Sequence, residues 1–207
     1  MTSAVKPSGT SFWRRPAILL SLLAIVSVAL FIFLPKVKEI KAPLPEVLRD
    51  ALKFRDGRLY RPDESSPFTG FMMERYEEGS LKARSVISNG VLQGVSEGWH
   101  TNGVLEVREH FTNGVSHGLR EKWFESGKKL SEAAIVAGKL EGPFRRWHEN
   151  GQLAEQIEMK QGEPDGVARS YFPTGFLKTE AHLQNGKVVE TKSWQDGERK
   201  PPTDSAN

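Results

Sequence analysis

Five histidines and a dense set of carboxylates are the side chains here that could hold a metal ion or move protons. Either role needs several such groups within a few ångströms of one another. The histidines stand at 100, 110, 117, 148 and 182. His100 and His148 occur in near-identical strings, "WHTNG" and "WHENG", and the same string returns with Phe124 and Phe172 in that place. A flat ring is what the position requires, and imidazole is one version of it. His110 and His182 share another recurring position three repeats apart, roughly 30 Å at ordinary strand spacing and too far to share a metal. His117 falls in a turn.

Covalent chemistry finds no better footing. The chain has no cysteine, which excludes disulfides, thiolate catalysis and Cys-based metal sites. Serines and threonines are scattered without a nucleophile-elbow motif. Acid pairs such as Glu77–Glu78 sit beside glycines in the manner of solvated turns, and the glycines do not form a phosphate loop. The expectation is a protein with no catalytic, cofactor or metal residues.

What the residues do have is a beat. Gly70, Gly94, Gly118, Gly142 and Gly166 are spaced by 24 residues; so are Gly79, Gly103, Gly127, Gly151 and Gly175, and so are Gly90, Gly114, Gly138, Gly162 and Gly186. Two and eight residues after the second glycine stand mostly apolar residues, Leu105 and Phe111 in one unit, with Val107 between. A period of two marks strands with one face turned inward. "SNG", "TNG" and "QNG" suit tight hairpins, where Asn and Gly tolerate positive φ. Each unit then reads as two short antiparallel strands, the first running from the first glycine to the aromatic pair. The predicted fold is all-β: an elongated, single-layer antiparallel meander of 24-residue hairpin repeats, five of them over 70–198. Side chains at one position form columns across such a sheet. Trp99, Trp123, Trp147 and Tyr171 make one column, the candidate binding face; Tyr76, His100, Phe124, His148 and Phe172 make its neighbour. The turns at Gly79, Gly103, Gly127, Gly151 and Gly175 define the repeat.

The recurring "G-x-x-x-x-W-[HF]-x-x-G-x-L", as in Gly94–Leu105, and "F-T-N-G-V-x-x-G" at Phe111–Gly118 resemble the MORN repeat variant of YwqK-type antitoxin proteins. The lead-in "FRDGRLYRPDESSPFTG" at 54–70 is similar to that family's opening, with a hairpin turning on Asp56–Gly57. The resemblance covers 54–197 and implies a meander of β-hairpins; it implies little about activity. Lys129 departs from the pattern where sister units have leucine, Arg75 where they have Trp, and the final "WQDGERK" ends early.

Ahead of the repeats, "AILLSLLAIVSVALFIFL" at 17–34 holds neither charge nor proline. Eighteen residues make roughly 27 Å of helix, near the thickness of a hydrocarbon core, and no cleavage signal follows. One transmembrane helix is expected there, after a basic tail (1–16). A linker (35–53) follows, with a short amphipathic helix built on Leu44, Val47, Leu48, Ala51 and Leu52. Residues 1–61 carry 11 Lys/Arg against 4 Asp/Glu, whereas 67–197 carry 16 against 18. Basic charge therefore belongs to the membrane-proximal part, and the repeats show no footprint for nucleic acid. The expected protein is single-pass in a bacterial inner membrane, with its repeats outside the cytoplasm and a disordered tail at 199–207. Its expected role is a non-catalytic scaffold with a protein partner. Alternatives are an antitoxin-like neutraliser of a toxin protein, which the resemblance implies, and a tether to lipid surfaces or cell-wall glycans.

Overall fold

The computed structural model describes residues 43–201. The predicted membrane helix at 17–34, the basic tail before it and residues 202–207 lie outside them. Among the described residues no helix is long and apolar enough to cross a membrane.

Nearly everything described is strand and turn. The elements are β1 (Glu46–Leu48), a single 3-10 turn (Arg49–Ala51), β2 (Lys53–Arg55), β3 (Arg58–Tyr60), β4 (Gly70–Arg75), β5 (Leu81–Ser88), β6 (Val91–Trp99) and β7 (Leu105–Thr112). They continue with β8 (Val115–Ser116), β9 (Gly118–Trp123), β10 (Lys129–Val136), β11 (Lys139–Trp147), β12 (Leu153–Lys160), β13 (Glu163–Tyr171), β14 (Leu177–Gln184) and β15 (Lys187–Ser193). From β4 to β15 the chain lays each strand antiparallel beside the last in one sheet, with β8 and β9 both pairing β7. The predicted meander is present. β2 and β3 form the predicted lead-in hairpin as a separate pair, turning at Asp56–Gly57.

Two kinds of turn alternate along the sheet. At the third glycine series the loop has two residues, both with positive φ: Asn89 at 50° and Gly90 at 79°, and likewise Asn113–Gly114, Ala137–Gly138, Gln161–Gly162 and Asn185–Gly186. Such turns match the twist of the strands they join. At the second series only the glycine is left-handed, and the turn closes with Gly103 N–H donating to His100 O at 2.9 Å. "NG" therefore means different things in the two places. Asn89 is there for its backbone. Asn102 is there for its side chain, whose Oδ1 accepts from Val104 N–H and whose Nδ2 donates to Glu125 O, 23 residues ahead.

Four expectations need correction. Gly70 and Gly118 begin β4 and β9 as expected, but Gly94, Gly142 and Gly166 do not begin their strands, because β6, β11 and β13 start three residues earlier, straight after the two-residue turn. Gly94, at φ 90°, sits mid-strand where Ser85 pairs Ser96 but Ile87 pairs Leu92, so β6 carries a bulge there. His117 occupies the matching irregularity between β8 and β9, not a turn. A second irregularity breaks the simple alternation: Leu105 lies opposite Trp99 but Val107 lies opposite Gly98. Consecutive residues on β6 point to opposite faces, so Leu105 and Val107 do too. Lastly, residues 44–52 make no amphipathic helix. β1 pairs parallel with β4, Glu46 beside Phe71, and only the 3-10 turn follows. Pro43 and Pro45 favour extended backbone, and an open strand edge rewards a pairing strand.

The buried cluster lies at this end. Leu52, Phe68 and Ile87 pack together with Val47, Leu59, Met72 and Leu92 around them. Leu59 N–H donates to Gly90 O and Gly90 N–H to Phe68 O, which docks the lead-in on the first two-residue turn. A Cβ on Gly90 would press on the Arg58 Cβ and the Leu59 backbone, so glycine is needed there for space as well as for φ.

Ala137 stands where three sister turns have Asn, at φ 48°. That conformation costs an L-residue other than Asn or Asp on the order of 1 kcal/mol. Ala137→Asn is expected to stabilise the domain by roughly half to all of that amount, read as a higher denaturant midpoint at an unchanged slope. No gain would mean that the turn is unstrained.

Candidate functional site

The four rings of the candidate column each end a strand: Trp99 closes β6, Trp123 β9, Trp147 β11 and Tyr171 β13. It is less open than a docking face needs. Tyr171 is 4% exposed and packs into the sheet opposite Leu177, itself 2% exposed, so it offers no surface. The three tryptophans are half-buried. Cations already lie over two of them, Arg108 with its guanidinium 5.8 Å from the Trp123 ring and Lys129 with its ammonium 5.7 Å from the Trp147 ring. Gly79, Gly103, Gly127, Gly151 and Gly175 all have φ between 81° and 93° and form the turns assigned to them.

The neighbouring ring column does work that the spacing alone did not reveal. Tyr76 Oη donates to Trp99 O at 2.6 Å. His100 Nε2 lies 2.9 Å from Trp123 O, and His148 Nε2 lies 2.9 Å from Tyr171 O. A carbonyl oxygen only accepts, so both imidazoles carry their proton on Nε2 here. Each ring thus ties one repeat to the backbone of the next, 23 residues on. Phe124 and Phe172 fill the same position without that bond. His110 and His117 also serve the sheet: His110 Nδ1 lies 3.1 Å from Leu119 O, and His117 Nδ1 lies 3.4 Å from Ala137 N. Among the described residues no group of three or more His, Asp and Glu is placed to hold a metal ion.

The charged residues form a row across the strands. Register sets Glu97 beside Arg108, Arg108 beside Glu121, Glu121 beside Glu132, Glu132 beside Arg145, and Arg169 beside Glu180. Opposite charges pair directly, with Arg108 to Glu97 at 2.9 Å and Arg169 to Glu180 at 2.7 Å. The clash of Glu121 with Glu132 is relieved by Lys129, whose Nζ lies 2.8 Å from one and 2.9 Å from the other. The departure from leucine at 129 follows from this, since two carboxylates directly opposed need a cation. Burial would lower the Lys129 pKa, but hydrogen bonds to Glu121 and Glu132 outweigh it and raise the value above 10.5. Burial would likewise raise Glu132, but bonds from Lys129 and Arg145 hold it below 4.5.

One feature of the surface belongs to a single repeat. Val115, Leu119 and Val136 are 47%, 45% and 49% exposed, on the adjoining strands β8, β9 and β10. Leu119 lies opposite Ala134, two residues from Val136, and Val115 lies opposite Thr112, two residues from His110. Leu119, Glu121 and Trp123 alternate along β9, so the apolar patch and the Trp123 ring share a face. Sister units carry Val91, Lys139, Glu163 or Lys187 at the Val115 position, and the period conceals what only one repeat possesses.

Two segments, 92–113 and 140–161, match the model of the MORN repeat variant. Each spans one Trp-ended hairpin, β6–β7 and β11–β12. The unit between them, with Lys129, lies outside the matched segments. No curated protein matches the chain. Two solved structures resemble part of it: a mutant of S. aureus TarM in complex with fondaparinux, alpha-GlcNAc-glycerol and UDP, and TarM itself. They are 13% and 11% identical, with TM-scores of 0.31 and 0.32, and cover 46% and 57% of this chain. The chain spans only 19% and 21% of their length, and a likeness so weak carries no argument.

His148→Phe keeps the ring and removes the bond to Tyr171 O. It is expected to cost about 0.5–1.5 kcal/mol in chemical denaturation, and Phe124→His to recover part of that. A second test uses acid. The folded pKa of Glu132 is depressed, so its stabilisation is present above the unfolded value and is lost as pH falls through the folded one. Glu132→Gln is expected to melt lower at neutral pH and to lose less stability on acidification through about pH 4. An unchanged acid slope would remove the ion pairs from the account.

Proposed function

We propose that this chain is a non-catalytic interaction scaffold, held at a membrane by residues 17–34, that docks a protein partner on the face shared by Trp123 and β8–β10. The observation that carries the reading is the patch of Val115, Leu119 and Val136, each nearly half exposed on a sheet whose other apolar side chains mostly pack inward. Half-buried Trp123 supplies a fixed aromatic edge beside it, and such rings are enriched among the residues that dominate protein interfaces. The ladder of ion pairs and ring-to-carbonyl bonds keeps that face stiff, which lowers the entropy a partner must surrender on docking. The eighteen-residue apolar run supplies the anchor and the basic residues around it suit anionic headgroups.

A photo-crosslinking amino acid at Leu119 is expected to capture a discrete protein in cells. The same group at Lys122, exposed on the opposite face, should not. Leu119→Lys with Val136→Lys should abolish capture by a probe at Val115 without lowering the melting temperature, whereas Trp123→Ala should lower it. Equal capture from both faces, or none at Leu119, would sink this reading.

A further inference from the structure

The two ends of the sheet are not alike. At one end the outer edge of β4 is taken by β1. At the other, β15 has no strand beyond it among the described residues, and all seven of its residues are exposed, Val188 and Val189 by 61% and 69%. Trp194 N–H donates to Lys178 O at 3.0 Å, in register with the pairs Thr179–Ser193 and Glu180–Lys192. Backbone groups in an antiparallel ladder alternate direction, so Lys192 turns its N–H and C=O toward β14, while Thr191 and Ser193 turn theirs outward.

We propose that two copies of this chain pair through β15, antiparallel, about a two-fold axis at Thr191. Charge selects that axis. A two-fold at Glu190 or at Lys192 would set like charges face to face, which destabilises a strand pair. A two-fold at Thr191 sets Glu190 opposite Lys192 of the second copy, and the reverse, while the outward Thr191 groups exchange both hydrogen bonds. Within one chain Lys192 lies 2.8 Å from Glu190 and pairs in register with Glu180, which in turn binds Arg169. The joint therefore continues the row of alternating charge from one copy into the next. The same patch meets itself, as a closed two-fold interface requires.

The absence of cysteine makes the register directly readable. Hydrogen-bonded partners stand about 5.5 Å apart at Cα, within the range a disulfide spans. Thr191→Cys in the full, detergent-solubilised chain should form a disulfide dimer on mild oxidation. Val188→Cys, whose counterpart would be roughly 20 Å away along the strand, should give at least tenfold less. In the Thr191→Cys background, Glu190→Lys or Lys192→Glu alone should suppress the dimer, and the two together should restore it. No dimer at 191, equal yield at 188, or no restoration by the double reversal would each overturn the proposal. Melting curves of the charge variants separate lost pairing from lost folding.

Discussion

Past the lead-in, the described residues stack no second layer on this sheet, so its turns must satisfy their polar groups sideways, on the neighbouring repeat. Everything else in this structure follows from that constraint. Tyr76, His100 and His148 reach the carbonyl 23 residues ahead, Asn102 and Asn150 do the same from within their turns, and the glycine N–H of each two-residue turn donates to the carbonyl 22 residues behind. Each bond adds only about 1 kcal/mol net, but all of them require one spacing. The period of 24 is thus an energetic condition repeated along the chain.

The bulges have the same origin. A strand carrying a positive-φ glycine in its middle twists more sharply than a regular one. Placing one in β6 and in β11 brings the residue before the glycine, Gln93 or Glu141, to accept from the turn N–H 20 residues on. The three glycine series consequently differ in what they do. One bends strands, one closes the four-residue turns and one makes the two-residue turns.

Much of this was legible in the residues. Fifteen glycines on three beats announce the meander, and "NG" between apolar alternations announces hairpins. What stayed hidden was whatever alternation cannot encode. A bulge shifts register without altering composition, so Leu105 and Val107 looked like neighbours on one face. The pairing of β1 with β4 depends on a sheet edge that exists only after folding, and leucine and valine at 44–52 fit a helix and a short strand alike. The exposed trio at 115, 119 and 136 leaves no mark in the period for another reason: it occurs in one unit alone. Lys129 showed the converse, a departure noticed at once but explicable only when Glu121 and Glu132 were seen to face each other.

Forward-reaching bonds also make the molecule a ruler graduated in whole units. Excising or duplicating one complete 24-residue stretch from the interior leaves each ring and turn donor facing a backbone carbonyl at the same spacing, so the sheet can lengthen or shorten by whole repeats. Slipping a single residue into a strand between two turns puts every later rung out of step with the one before it. Size in this architecture is easy to change in strides and hazardous to change in steps.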